Sequence, residues 1–159
     1  RAIDDFLASD EFRAPGSALS RQIQIVEAGK YMVLYLFNEA MNEFGQDLKH
    51  EQQLGELLAD SFMDLYLADS TLARVGQMIQ SNGQHGVLVP IAQALTAEAT
   101  LNLMNRGLTG LNDIFHGNLP HEVTNKLRLF QVRLLPKADV ASLKRQIAEY
   151  VYSQKRYPF

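Results

Sequence analysis

The chain has 159 residues, 47% of them hydrophobic and 21% charged, with a formal net charge of −3 and no cysteine. That length suits one compact domain, and the missing cysteine excludes disulfides, thiolate metal sites, c-type haem attachment and cysteine nucleophiles, in keeping with a reducing compartment. The longest apolar run, YMVLYLF from Tyr31 to Phe37, falls far short of the roughly 20 residues that span a bilayer, and no signal-peptide pattern opens the sequence.

A soluble chain with no transmembrane segment is therefore expected, cytoplasmic or, in a eukaryote, mitochondrial. Residue 1 is Arg rather than Met, and the sequence reads as a piece of something longer.

Strand signals are nearly absent, while helical periodicity recurs throughout with Gly and Pro at the joints. A short opening helix runs from Arg1 to about Ala8, Pro15-Gly16-Ser17 makes a break, and Ser17 is placed to cap a long helix that ends at Phe44-Gly45. Its predicted inner stripe is Leu19, Ile23, Val26, Val33, Phe37, Ala40 and Phe44, with Lys30 in the skipped place. A second long helix, capped by Asp47, buries Leu54, Leu58, Phe62, Leu65, Leu72, Gly76 and Ile79 until Ser81-Asn82-Gly83 stops it. So short a turn makes the two antiparallel.

A third helix carries Ala94, Ala97, Leu101, Met104, Leu108, Leu111 and Phe115 up to His116-Gly117, and its Gly107 and Gly110 weaken it or mark a close helix crossing. After Asn118 and Pro120 a fourth helix turns Val123, Leu127, Phe130 and Leu134 inward, closed by Pro136. A fifth, capped by Asp139, has Val140, Leu143, Ile147 and Val151 inside. The expected fold is all-α: an up-and-down helical bundle of four principal helices with one or two additional short helices, occupying 1–159 as a single domain.

On a wheel of the first long helix, Tyr31 and Tyr35 point away from the stripe, in an uncharged strip with Gln24, Ala28, Asn38 and Asn42. Exposed helix faces are normally charged, and tyrosines suit contacts that are wet at their edges. Tyr31, Tyr35, Asn38 and Asn42 are thus a candidate interface or ligand face, covered by a larger parent protein, a second subunit, a long acyl chain, or the opening helix of this same chain. Lys30 and Asp69 fall close to inner stripes, where unpaired charge is costly. They are candidate buried polar groups, forming a polar site in a ligand cavity or each finding a partner, a backbone group or a way outward, and their offset along the hairpin disfavours a direct bond between them.

Charge is uneven: residues 1–120 hold 7 basic and 15 acidic residues, and 121–159 hold 8 and 3. Basic helices lying against acidic ones account for this without nucleic acid. A di-iron bundle needs Glu-x-x-His motifs, and none of the four histidines has Glu three residues upstream. Asp60 and Asp64 share a helix flank and suit a cation or a ligand amine, but two carboxylates alone are not a metal site, and a solvated edge or pairing with nearby bases accounts for them. Serine-nucleophile, phosphate-loop and dinucleotide motifs are missing.

Residues 44–75 read FGQDLKHEQQLGELLADSFMDLYLADSTLARV. Phe44-Gly45, Gln52 and Leu58-Ala59-Asp60 resemble the helix-turn-helix signature of the α-helical C-terminal domain of acyl-CoA dehydrogenases. With Asp64, Tyr66 and Arg74 the stretch is similar to the helical domain that the very-long-chain branch appends after its catalytic region. Catalytic members carry an Arg three residues before Phe-Gly, used on the flavin phosphates; here Met41 stands there, and a thioether does not replace a guanidinium at phosphate.

The resemblance implies a non-catalytic helical domain with no cofactor of its own, serving assembly, docking or acyl-chain accommodation. Its parent would use FAD to oxidise a fatty acyl-CoA, and its partner would be the remainder of that enzyme or a second subunit. A stand-alone bundle that binds a lipid or another apolar ligand is the alternative.

Overall fold

The computed structural model describes residues 2–9, 19–82 and 86–154. Among them are six α-helices and no strand: α1 (Ala2–Ala8), α2 (Ser20–Phe44), a 3-10 segment (Gly45–His50), α3 (Gln52–Asn82), α4 (Leu88–Ile114), α5 (His121–Leu134) and α6 (Val140–Gln154). No helix among the described residues is long and apolar enough to cross a membrane. The Pro15-Gly16-Ser17 break, the Ser17 cap and the Gly83 stop lie outside the described residues.

Gly45 ends α2 in a left-handed backbone, φ 52, with its N–H bonded to the Met41 carbonyl. That conformation costs glycine little and other residues more. The turn that follows differs from expectation: α3 starts at Gln52 rather than under an Asp47 cap, because a 3-10 segment occupies Gly45–His50 and places Asp47 in its own first turn. At the other end Asp139 does cap α6, its Oδ1 accepting the Ser142 N–H at 3.1 Å.

The core is built by α2, α3, α4 and α5. Val123, Leu127, Phe130 and Leu134 of α5 are all buried, as the stripe predicts. On the other helices the predicted stripe is kept in part: Leu19, Val26, Val33 and Ala40, then Leu54, Leu58, Leu65 and Leu72 of α3, and Ala94, Ala97 and Leu111 of α4 are buried as expected, while other positions differ. In α2 the inward residues are Ile25, Val26, Ala28, Met32, Val33, Tyr35, Leu36 and Ala40, while Ile23 and Phe37 are exposed. Phe62 of α3 and Leu101 and Leu108 of α4 are exposed as well, and Ala68, Val75, Leu103 and Ile114 take buried places instead. None of α6 is fully buried: Val140, Leu143 and Ile147 are half-covered and Val151 is exposed.

The phase of α4 follows from its glycines. A β-carbon on Gly107 would overlap the Met32 methyl, and one on Gly110 would meet Leu36 Cδ1 at 3.0 Å. Gly29 of α2 faces the partner helices in the same way, 2.5 Å from Leu65 Cδ2 by the same measure. Small residues let α2 and α4 approach closely, and Met32 and Leu36 fill the space they leave.

Candidate functional site

The tyrosine strip is covered from within the chain. Phe6 of α1 stacks on Tyr31, centroids 4.1 Å apart and planes 12° from parallel, and Tyr35 stacks against Phe130 of α5 at 5.8 Å. Tyr35 is 2% exposed. The wheel reading that pointed both tyrosines away from the core is thereby corrected, and the covering elements are the opening helix and α5. Only Asn38 and Asn42 of that strip are exposed.

Cations lock this cover. Arg133 Nη2 donates to the carbonyls of Leu7 at 2.7 Å and Ser9 at 2.8 Å, and its guanidinium lies 4.8 Å from the Phe6 ring centroid. It thus binds acceptors at the end of α1 that the helix itself leaves unpaired. Lys126 reaches Asp4 at 3.1 Å and Glu122 at 3.0 Å, with its ammonium 5.6 Å from the Tyr35 ring centroid. The bond to Glu122 raises the Lys126 pKa and outweighs burial, with Asp4 adding to it. The bond from Lys126 likewise holds the Asp4 carboxyl below its ordinary value. Burial, with the charges of Glu39, Glu122 and Asp4, pushes the Tyr35 phenol well above the usual range.

Lys30 and Asp69 are partners of each other, contrary to expectation. Lys30 Nζ lies 3.2 Å from Asp69 Oδ2 and 2.6 Å from Glu27 Oε1, with the Lys30 and Asp69 side chains 39% and 53% exposed. The turned phase of α2 carries Lys30 out of the core to the α2–α3 flank. Burial works against its charge, yet the bonds to Glu27 and Asp69 leave its pKa raised. Such a half-exposed pair contributes about 0.5 kcal/mol.

Asp60 and Asp64 find a base. Arg106 of α4 donates to Asp64 Oδ2 at 2.6 Å and approaches Asp60 Oδ2 at 3.5 Å, beside a cleft of about 270 Å³ that also includes Gln53 and Thr109. Among the described residues no group of three or more acidic or histidine side chains is placed to hold a metal. Of the remaining signature residues, Leu58 is buried and Phe44 packs on the core, whereas Gln52, Ala59, Tyr66 and Arg74 are exposed.

The largest feature that sequence reasoning missed is an apolar band on α2 and α3. Leu34, Phe37 and Met41 follow Lys30 along one side of α2, and Tyr66 and Phe62 precede Asp69 along one side of α3. The Lys30–Asp69 bond sets these two series side by side. Met63 and Leu67 continue the surface around α3, and all seven side chains are between 41% and 76% exposed. The signal lay in the steps of three and four from Lys30 to Met41. It was obscured because YMVLYLF is apolar on every side.

Position 41, where the catalytic members of the resembled family carry Arg, holds the exposed thioether of Met41 in this band.

No protein-family model matches the sequence, and no curated protein matches it. The fold has a clear counterpart among solved structures. A crystal structure of an acyl-CoA dehydrogenase from Bacillus anthracis complexed with FAD superposes with a TM-score of 0.85 over 99% of this chain, at 20% sequence identity. The protein is an all-α bundle with the fold of a helical part of an acyl-CoA dehydrogenase. It spans 27% of that chain, about a quarter of its length.

Proposed function

We propose that this chain is a non-catalytic, C-terminal helical domain of a larger FAD-dependent acyl-CoA dehydrogenase of the very-long-chain type, and that it docks on the rest of that enzyme through the α2–α3 band. The observation that carries this reading is the band itself: seven large apolar side chains exposed on two adjacent helices. Contiguous exposed apolar surface of this kind marks an interaction site. The fold shared with a quarter of a flavin-bound dehydrogenase supports a parent of that class, and Met41 in place of the phosphate-binding Arg supports a domain that leaves FAD and the acyl-CoA chemistry to its parent.

Phe37→Lys with Phe62→Lys tests the docking. Helicity is expected to be unchanged and affinity for the separately purified remainder of the parent to fall at least about tenfold, as expected for central apolar contacts. An unaltered complex overturns the docking surface. The sequence upstream of Arg1 tests the parent: absence of a flavin-binding dehydrogenase there overturns the domain assignment.

A further inference from the structure

The charge of the α2–α3 hairpin is gathered at one end of the apolar band. Residues 20–42 hold two acidic and two basic residues, and residues 65–82 hold one of each, whereas 43–64 hold six acidic residues and a single Lys. At the Lys30 end the charges cancel. Lys30 bonds Glu27 and Asp69 there, and the exposed Arg74, seven residues beyond Leu67 on the same side of α3, supplies the second cation.

The end near the α2–α3 turn is different. Glu56, Asp60, Met63 and Leu67 follow one another along one side of α3 in steps of four, three and four. Glu56 is exposed and forms no ion pair among the described residues, and the Asp60 side chain is 50% exposed. Arg106 lies 2.6 Å from Asp64 Oδ2 and 3.5 Å from Asp60 Oδ2. Three carboxylates thus share one guanidinium beside the apolar surface.

A partner that covers Met63 and Leu67 also takes water from Glu56 and Asp60. Carboxylates that lose water without gaining a counter-charge are costly, and an acidic partner is repelled. Leu34, Phe37 and Met41 recur at i, i+3 and i+7 beside Phe62 and Tyr66. Two antiparallel helices so patterned present a ridged apolar surface of the kind that receives a third helix.

We propose, resting on the docking of the band on the parent enzyme, that the segment seated there is an amphipathic helix carrying Lys or Arg at one end. Its apolar stripe meets Phe37, Phe62, Met63 and Leu67. Its basic end lies over Glu56 and Asp60, toward the α2–α3 turn.

The test is calorimetric titration of the full chain into the purified remainder of the parent at low and high salt, about 50 mM and about 500 mM. Affinity is expected to fall at least about tenfold between the two. At low salt Glu56→Lys with Asp60→Lys is expected to weaken binding at least about tenfold, Glu56→Gln with Asp60→Asn about threefold, and Arg74→Glu, at the neutral end, less than about twofold. The isosteric pair keeps side-chain size, so it carries the test even if the double Lys variant misfolds. Salt-independent affinity that survives both charge changes, yet is lost in Phe37→Lys with Phe62→Lys, overturns the basic helix and leaves the docking surface standing. No binding by the unaltered chain overturns both, and an equal loss in Arg74→Glu overturns the placement of the basic end.

Discussion

The terminal methyl of Met32 occupies the space in which a β-carbon at Gly107 would have to sit. Met32 is fully buried, so the added carbon forces a shift within a filled core. Gly107→Ala is expected to destabilise the protein by about 1–3 kcal/mol. Gly76 of α3 has nothing within 4 Å of its would-be β-carbon, so Gly76→Ala is expected to stabilise by about 0.5–1 kcal/mol through helix propensity. Urea unfolding of the two variants checks the pair. Equal effects of the same sign would show that α2 and α4 do not meet at Gly107.

The seating of α1 depends on Arg133. Replacement by Met keeps much of the side-chain volume and removes both donors to the Leu7 and Ser9 carbonyls. A loss of about 1–3 kcal/mol is expected, together with faster amide exchange confined to α1 and unchanged exchange in α4. Uniform acceleration across the chain would place Arg133 in the global core instead.

The Tyr35 phenol gives an alkaline signature. Its proton is held more tightly in the folded state, so the folded chain binds more protons than the unfolded one above the ordinary tyrosine value of 10.0. The associated stability is complete below pH 10.0 and declines as pH rises past it. Tyr35→Phe removes that contribution, so the variant is expected to lose less stability than the parent chain between neutral pH and about pH 11, by up to about 1.4 kcal/mol per pH unit. Parallel losses in both proteins, measured by urea unfolding at the two pH values, would contradict a buried phenol.

The apolar band is expected to contribute little to the stability of the isolated chain. Phe62→Lys and Tyr66→Lys change residues that are exposed here, so each is expected to shift unfolding free energy by no more than about 0.5 kcal/mol. A thermal or urea midpoint displaced by the equivalent of about 2 kcal/mol would make these side chains part of the chain's own core.

Much of this architecture was legible one helix at a time. The α5 stripe of Val123, Leu127, Phe130 and Leu134 stands among polar neighbours such as Thr124, Asn125, Lys126 and Arg128, so its apolar period has one phase and the structure keeps it. The end of α2 at Gly45 and the cap at Asp139 were equally readable, because each rests on backbone chemistry local to a few residues. Of the candidate site, the exposure of Asn38 and Asn42 followed from the sequence, and the opening helix over Tyr31 and a base for Asp60 and Asp64 were among the alternatives it offered.

The orientation of α2 was decided elsewhere. A run such as YMVLYLF offers hydrophobic side chains in every direction, so helical periodicity has no polar position from which to fix its rotation. Close approach at Gly29, Gly107 and Gly110 drew Met32 and Leu36 inward, while α1 and α5 closed over Tyr31 and Tyr35. Those contacts turned Leu34, Phe37 and Met41 to the surface and brought Lys30 to Asp69. By itself the sequence determined the helices, most of their ends and the all-α class. How α2 was rotated, and hence where the exposed band lies, depended on steric fit between residues far apart in the chain.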